Sequence, residues 1–343
     1  MNLRQEGVNM NKNRVRTLTE GAVCTALTVL LMVIAMHVPL FGIFSTVIVG
    51  LPVVLMAVRH GLRYAAISAA AAVFAMLFLL GDIISVLMMA LLYLLPAGAI
   101  GFAINRRKAF PTTVLFATGA VLIGLMAELL LLNAAGGGNG IRNLLDANIE
   151  NTSQMFSQIA ANLSVGEAEQ FGAIIQAFPQ ALALVKEMIL LYLPTITICI
   201  ACVLGYSVVA VSIFMLRRMR LLKVPYLPFW MIHAPRSMCY LSMILQLFTY
   251  GTRELTVFAA GMQNMALLLD CFIGVCGLSL IDYKLSEKVS SGYARAGIYL
   301  AVLVVGYVAI GVIGQVLVFL GLLDGLFHFR RFHKVGEGHG ENK

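Results

Sequence analysis

Residues 183–216 read ALVKEMILLYLPTITICIACVLGYSVVAVSIFML, an apolar run whose only charges, Lys186 and Glu187, stand near its start. A helix needs about 20 apolar residues to cross a bilayer, and this run is longer. It lacks the strict alternation of apolar and polar residues that marks a membrane β-strand. Because backbone polar groups in lipid must be bonded within a helix or a closed barrel, the run predicts a transmembrane helix.

The rest of the chain repeats this pattern. Of 343 residues, 60% are hydrophobic, and the mean hydropathy is +0.92. Charged residues make up only 12%, against roughly 25% in a soluble domain. The composition therefore predicts an all-α fold, a polytopic transmembrane helical bundle of about 9–10 hydrophobic segments. The segments are 22–37, 44–58, 62–80, 83–104, 112–133, 183–216, 237–250, 255–281, 293–308 and 310–326.

The distribution of cations predicts the orientation. The net charge is +8, with a pI near 9.3, and the cations form short clusters between apolar runs. Cytoplasmic loops carry such an excess of Lys and Arg. We therefore expect a multi-pass protein of the bacterial cell membrane with a cytoplasmic N-terminus, in contact with the lipid bilayer and not with nucleic acid. On this topology the only Lys and Arg residues expected on the outer side are Arg142, Lys186 and Arg253.

The C-terminal apolar stretch has two interpretations. Residues 293–326 form either one overlong helix or a short hairpin that turns near Gly306–Gly314. One helix would place Arg330, Arg331 and Lys334 outside, against the charge rule. We expect the hairpin, which puts the C-terminus in the cytoplasm.

The largest stretch without an apolar run is 134–182, on the outer side. It opens with the flexible segment Gly136–Gly140. Two amphipathic helical patterns follow, and the second begins with the capping box Ser164-x-x-Glu167. The pair is either a connector lying on the membrane surface or a lid over a site.

Polar residues inside lipid are costly, so each requires an explanation. Six fall at the outer ends of different segments, where they could line one outward-facing cavity: His37, Asp82, Glu128, Asn133, Lys186 and Glu187. Of these we take His37, Asp82, Glu128, Asn133 and Lys186 as the hypothetical substrate-binding set. The alternative is contact with water at the interface, which explains Glu128 least well because apolar residues flank it for several turns.

Four further polar residues lie deeper in the second half of the chain: Gln246, Asn264, Asp270 and Gln315. Hydrogen bonds between helices are the ordinary explanation for such residues. Asp270 is the most costly of the four, and a site for a proton or a cation is its alternative role.

Catalytic chemistry has little support in the sequence. There is no nucleophile elbow, zinc-protease motif or nucleotide-binding loop. No Asp, Glu or His cluster has the spacing of a metal site. The Cys199-x-x-Cys202 pair lies within plain membrane helix, which favours packing over ligation. We expect no enzyme activity and infer no cofactor.

Small residues at helical spacing form a separate signal. Ala22 and Ala26 lie one turn apart, as do Ala65 and Ala69 in an alanine-rich run. Small residues let helix backbones approach closely. The spacing indicates either packing inside the bundle or a surface on which a partner helix docks.

Four short motifs together resemble the YybS-like family of bacterial membrane proteins. They are Arg16-Thr-Leu-Thr-Glu20, Arg59-His-Gly-Leu-Arg63, Pro228-Phe-Trp230 with Pro235-Arg236, and the ending Gly321-Leu-Leu-Asp324-Gly-Leu-Phe-His328-Phe-Arg-Arg331. The family signature usually has an acidic residue where this chain has His328.

Residues 16–135 are also similar to the substrate-binding S components of energy-coupling-factor transporters. The similarity rests on Ala22-x-x-x-Ala26, on Gly50-Leu-Pro-Val-Val-Leu and on Arg59-His-Gly61-Leu-Arg-Tyr64 before the alanine-rich helix. It implies that a small-residue helix face meets a transmembrane coupling subunit and that a solute binds near the outer surface. The usual glycine after the tyrosine is Ala65 here.

Four regions follow from this organisation. Residues 1–216 are an S-component-like core that includes the outer amphipathic segment 134–182, and 217–236 are a basic cytoplasmic loop. Residues 237–331 are C-terminal transmembrane helices, and 332–343 are a polar tail. We expect a component that takes a small solute, of unknown identity, from the outer side. A partner ATPase or an ion gradient would supply the energy. The alternative is a membrane scaffold or regulatory protein without transport activity.

Overall fold

The computed structural model describes residues 2–161, 165–221, 229–251, 257–289 and 310–330. Contacts within the chain separate two units, Met1–Tyr226 (unit 1) and Leu227–Lys343 (unit 2). The predicted all-α bundle is confirmed. The helices of unit 1 are α1 (Asn2–His37), α2 (Pro39–Ile48), α3 (Leu51–His60), α4 (Leu62–Leu80), α5 (Ile83–Met89), α6 (Leu95–Asn105), α7 (Phe110–Ala135), α8 (Gly140–Ala161) and α9 (Val165–Arg218). Those of unit 2 are α10 (Arg236–Gly251), α11 (Val257–Lys288) and α12 (Ile310–Phe327).

Within the described residues, six helical stretches are long and apolar enough to cross a membrane. They are Val15–His37, Leu62–Leu80, Ile83–Asn105, Phe110–Ala135, Ala177–Arg218 and Val257–Lys288. Two shorter apolar stretches are Phe44–His60 and Ile313–Phe327. The predicted segment 293–308 lies outside the described residues.

The run predicted at 44–58 is a broken helix. Val38 is extended, and Pro39 begins α2; Gly50 then separates α2 from α3, which carries Pro52 in its first turn. Proline has no N–H to donate and its fixed φ suits the first turn of a helix, so each proline marks a new start. The two short helices therefore return the chain to the end at which α1 begins.

A π-helical turn at Ala90–Leu94 joins α5 to α6. Gly124 of α7 lies against it, and a Cβ at that position would stand 2.9 Å from the carbonyl oxygen of Leu91. The Ser45 hydroxyl of α2 donates to the Tyr93 hydroxyl over 3.1 Å. The π turn is therefore the place where α2 and α7 both contact the α5–α6 span.

Two predicted boundaries are wrong. The surface helix expected from Val165 and the span expected at 183–216 are one 54-residue helix, α9, with Pro179 and Pro194 inside it. Apolar helices tolerate internal proline because neighbouring groups satisfy the freed carbonyl. Helix α1 likewise begins at Asn2 and not near residue 22, because the polar residues before the span are mostly good helix formers. Ser164 of the expected capping box lies outside the described residues.

The core of unit 1 is packed with medium-sized apolar side chains. Met32, Met56 and Met76 are almost fully buried, and they belong to one cluster with residues of α3, α6 and α9. The Asn105 amide donates to the Ala57 carbonyl over 2.8 Å, which ties α6 to α3. Flexible methionine side chains fill irregular gaps between helices.

In unit 2, α12 runs in the same direction as α11. Gly277 and Gly321 each lie so close to the facing helix that a Cβ would overlap its backbone. Further along the two helices, Ser279 bonds to the Phe229 carbonyl and Gly325 lies against Ala234. Small residues permit this approach between membrane helices, so the ends of both helices meet the chain that leads into α10.

Candidate functional site

The α8 side of unit 1 carries a polar pocket. Its volume is about 550 Å³. The pocket is open to the surroundings; six of its seven described lining residues carry a hydroxyl, amide or carboxylate group, although carbon atoms form most of the lining surface. The lining residues include Asp146, Ile149, Glu150, Ser153, Gln154, Ser157 and Gln158. Helical spacing explains the grouping, since these residues recur along one side of α8. Such a surface can hydrogen-bond a hydrophilic molecule.

Among the described side chains, an ion pair and an aromatic stack join α8 to α9. Lys186 of α9 donates to the Asp146 carboxylate over 2.5 Å, and the side chains are 23% and 56% exposed respectively. The rings of Phe156 and Phe178 stack with centroids 3.9 Å apart. The ion pair is open to water and contributes little by itself, whereas the stacked rings bury apolar area. Lys186, a predicted binding residue, therefore borders the pocket through its partner Asp146.

Glu150 is the carboxylate of the pocket that has no cationic partner among the described residues. The Gln154 amide approaches it at 3.4 Å. By contrast, the charge of Asp146 is opposed by Lys186. The pocket therefore retains a net negative side chain, which favours a ligand with a cationic group.

The structure gives His37 and Asp82 local contacts. The His37 ring nitrogen Nδ1 bonds to the Val33 carbonyl one turn earlier, over 2.9 Å. Asp82 is the N-cap of α5 and accepts from the backbone N–H groups of Ile84 and Ser85. The Ser85 hydroxyl first, and then these two N–H groups, hold the pKa of Asp82 below its usual value. A helix cap explains Asp82 without a ligand.

Glu128 and Asn133 lie on the outer half of α7. Glu128 is exposed at the surface of the helix, and no hydrogen bond or ion pair reaches it from the described part of the chain. The backbone carbonyl of Asn133 accepts from the Gly138 N–H in the turn before α8. Across the described ranges, no hydrogen bond or ion pair joins any two of the five predicted binding residues. The pocket lies along α8 instead.

A charged cluster that sequence reasoning did not assemble lies at the opposite end of unit 1. Glu20 of α1 accepts from Arg16 at 3.0 Å, from Arg59 at 3.3 Å and from the His60 Nε2 nitrogen at 2.7 Å. The Thr17 hydroxyl contacts the other ring nitrogen of His60 at 3.2 Å. Only the Arg16–Glu20 spacing of four residues was readable as a contact. The cluster joins the start of the first span to the end of α3.

The small residues divide between the core and the surface. Ala65 is buried and Ala69 is half-buried in α4, whereas Ala22 and Ala26 are exposed on α1. Next to them, the hydroxyls of Thr25 and Ser68 bond at 2.8 Å between α1 and α4. The α4 pair therefore packs inside unit 1, and the α1 pair lies on the exposed surface of α1.

In unit 2, Asp270 lies between α11 and α10. Its carboxylate accepts from the Ser242 hydroxyl at 2.8 Å and from the Gln246 amide at 2.9 and 3.0 Å. Gln246 and Asp270 thus make a bond between helices of the kind expected from sequence. Of the other two residues, Asn264 bonds to the Ala260 carbonyl of its own helix, and Gln315 is exposed.

The C-terminal motif forms a buried polar cluster in unit 2. The Arg330 guanidinium donates to the carbonyl oxygens of Trp230 at 2.5 Å and Cys276 at 3.0 Å, and to the Ser279 hydroxyl at 3.0 Å. It also pairs with Asp324. These contacts connect the end of α12 to α11 and to the turn Phe229–Met231. The motif Pro228-Phe-Trp230 and the C-terminal motif Gly321–Arg331 were both visible in the sequence, but their contact through Trp230 and Arg330 was not predicted.

Within the described residues, no group of three or more His, Cys, Asp and Glu side chains is arranged to hold a metal ion. None of the six cysteines forms a disulfide in the structure. The polar groups described above therefore offer hydrogen bonding and charge.

One family model matches the chain. It is described as "Predicted membrane protein (DUF2232)" and matches residues 26–324, so it includes most of both units. No curated protein and no solved structure matches the chain.

Proposed function

The chain belongs to the DUF2232 family of predicted membrane proteins, and we propose that its unit 1 binds a small hydrophilic solute at the α8 side. The observation that carries the proposal is the polar pocket along α8. Glu150 supplies its uncompensated negative charge, and hydroxyl and amide groups supply hydrogen bonds. The substrate class that fits best is a small molecule with a cationic group and several polar atoms.

The proposed orientation places the pocket outside the cell. The end of unit 1 opposite α8 carries Arg59, Arg63 and the run Arg106–Lys108, which cytoplasmic loops favour. The solute would then enter from the outer side of the bacterial cell membrane. A membrane-impermeant maleimide should label Cys at position 143 and not at position 107 in intact cells, in a chain without its native cysteines. The reverse labelling would contradict the orientation.

Energy for uptake would come from a partner. The sequence has no nucleotide-binding loop, so we propose that the chain works with a transmembrane coupling subunit and an ATPase, as the similarity to S components implies, or with an ion gradient. The exposed pair Ala22 and Ala26 on α1 supports a docking surface for such a subunit, since small residues allow helices to approach closely.

A scaffold without transport activity is the second candidate. It is favoured by the packing of unit 1, where Met32, Met56, Met76 and Ile100 are almost fully buried in one apolar core. A scaffold needs a packed bundle and exposed faces for partners, and it needs no solute pocket.

A ligand search distinguishes the two. The protein is purified in mild detergent, denatured, and the released small molecules are identified by mass spectrometry. The binding proposal expects the same compound from independent preparations and its loss from Glu150→Gln and Asp146→Asn. Glu187→Gln is the matched control, because Glu187 is exposed on α9 and is not among the pocket residues. Absence of any compound, with unchanged behaviour of Glu150→Gln and Glu128→Ala, would favour the scaffold.

A further inference from the structure

Asp270 is a carboxylate in the interior of an apolar membrane helix. It is half-buried and lies well within the span Val257–Lys288. An ionised carboxylate in such a place is costly unless something neutralises it. Ion pairing with Lys or Arg is the usual means of neutralisation.

No cation reaches Asp270 in the described part of unit 2. Helix α10 contains one charged residue, Arg236, and its titratable Cys239, Tyr240 and Tyr250 are not among the groups bonded to Asp270. Helix α12 contains one, Asp324. Both charges lie at the end of the unit where Arg330 is bound, whereas Asp270 is level with Ser242 and Gln246. The turn Phe229–Met231 carries no charge.

The two partners of Asp270 have a particular chemistry in common. A serine hydroxyl and a glutamine side chain can each donate or accept a hydrogen bond. With the carboxylate ionised, Ser242 Oγ and Gln246 Nε2 donate to it, as observed. With the carboxyl protonated, its O–H can donate to the Gln246 carbonyl oxygen after a turn of the amide, while Ser242 still donates to the other oxygen. A Lys or Arg side chain could not bond to both the ionised and the protonated carboxyl in this way, because neither side chain accepts a hydrogen bond.

We propose that Asp270, Ser242 and Gln246 form a reversible proton-binding site within unit 2. In the binding step a proton from water forms an O–H bond at one carboxylate oxygen, and the negative charge is lost. The Gln246 amide reverses from donor to acceptor. The site stands in a different unit from the α8 pocket, so it does not rest on solute binding.

The test uses dicyclohexylcarbodiimide, an apolar reagent that modifies protonated carboxyls in membranes. The full-length protein in liposomes is treated across a pH series, and the peptide carrying Asp270 is quantified by mass spectrometry. We expect labelling of this peptide at acidic pH and its progressive loss as the pH rises, because the reagent needs the protonated carboxyl. Asp82 in the same molecule is the internal control, since it is an exposed cap and should stay unlabelled.

Two variants sharpen the result. Ser242→Ala and Gln246→Leu each remove a donor that stabilises the ionised form, so both should move the loss of labelling to higher pH. Asp270→Asn should abolish the labelled peptide. Unlabelled Asp270 at every pH, in a protein that labels there once unfolded in detergent, would overturn the proposal. So would protection by sodium at constant pH, which would assign the site to a metal cation.

Discussion

The Arg330 Nε nitrogen lies 2.8 Å from the Asp324 carboxylate, and only 2% of each side chain is exposed. Five residues lie between the two, and the chain reverses among them at His328, whose φ is +51°. Arg330 thereby reaches back beside the end of α12, where it also binds carbonyl oxygens from the turn before α10 and from α11. The pair therefore joins three parts of unit 2 at one buried charge.

Removal of either partner of this pair should destabilise the protein strongly. Arg330→Met leaves Asp324 buried without a counter-charge, and breaking a buried pair costs about 3–5 kcal/mol. Arg330→Lys should restore little, because an ammonium lacks the planar set of donors that reaches several acceptors. The measurement is the thermal midpoint of aggregation in detergent.

Arg236→Ala is the control for this experiment. Arg236 is also a cation of unit 2, but its side chain is exposed. The thermal midpoint of the Arg236→Ala variant should therefore stay near that of the unmodified protein. Equal midpoints for Arg330→Met and Arg236→Ala would show that the buried pair does not stabilise unit 2.

The energies that couple Glu20 to its three partners, Arg16, Arg59 and His60, should differ in size. The Arg16 side chain is 76% exposed, whereas the side chains of Arg59 and His60 are 34% and 18% exposed. Each surface pair contributes about 1 kcal/mol or less. Double-mutant cycles on Glu20→Gln with Arg16→Gln, Arg59→Gln and His60→Gln should therefore rank the His60 coupling highest and the Arg16 coupling lowest. A largest coupling at Arg16 would contradict the structure.

Six of the ten predicted apolar segments coincide with described helices that are long and apolar enough to cross a membrane, because length and apolarity can be read directly from the sequence. The predicted boundaries were wrong where the helix of an apolar span continues into the polar residues before it, as in α1 and α9. The surface helix expected from Val165 and the span expected from residue 183 are one helix, α9, which continues through Pro179. Asp82 was read as a binding residue, although its position just before Ile83 is also that of a helix cap, which the structure shows.

The contacts that assemble the candidate sites were not readable from one sequence. Glu20 and His60 are 40 positions apart, and so are Asp146 and Lys186. Arg330 and Trp230 are 100 positions apart. Each residue type was visible, but the pairing depends on how helices pack, which periodicity does not encode. The sequence predicted that α8 is an amphipathic helix, but only the structure shows that α9 lies beside it.

The Asp82 cap should respond to acid in a defined direction. Its pKa is lowered in the folded protein, so the stabilisation is complete above the ordinary Asp value of about 3.9 and is lost as the pH falls through the lower folded value. For the Ile84 and Ser85 amides, the measured quantity is the ratio of the exchange rate in the unmodified protein to that in Asp82→Asn. This ratio should be unchanged between neutral pH and about pH 5 and should rise in stronger acid.

Asp82→Asn is the reference in this series because Asn caps helices about as well as Asp and does not titrate. Asp82→Ala should raise the exchange of the same two amides at neutral pH. Identical exchange in the Ala and Asn variants would show that the side chain does not cap α5.

The Asp146–Lys186 pair should control how closely α8 is held to α9. Asp146→Lys places two ammonium groups side by side, and Asp146→Lys with Lys186→Asp restores opposite charges in reversed order. We expect limited proteolysis within α8 to accelerate severalfold in the single variant and to return toward the original rate in the double variant, while the Phe156–Phe178 stack keeps the rest of the contact. Asn143→Lys is the control for a new lysine at an exposed position of α8; it changes the charge by +1, whereas Asp146→Lys changes it by +2. If the double variant were cleaved as fast as the single one, the ion pair would not hold α8, and the pocket along this helix would depend on the aromatic stack alone.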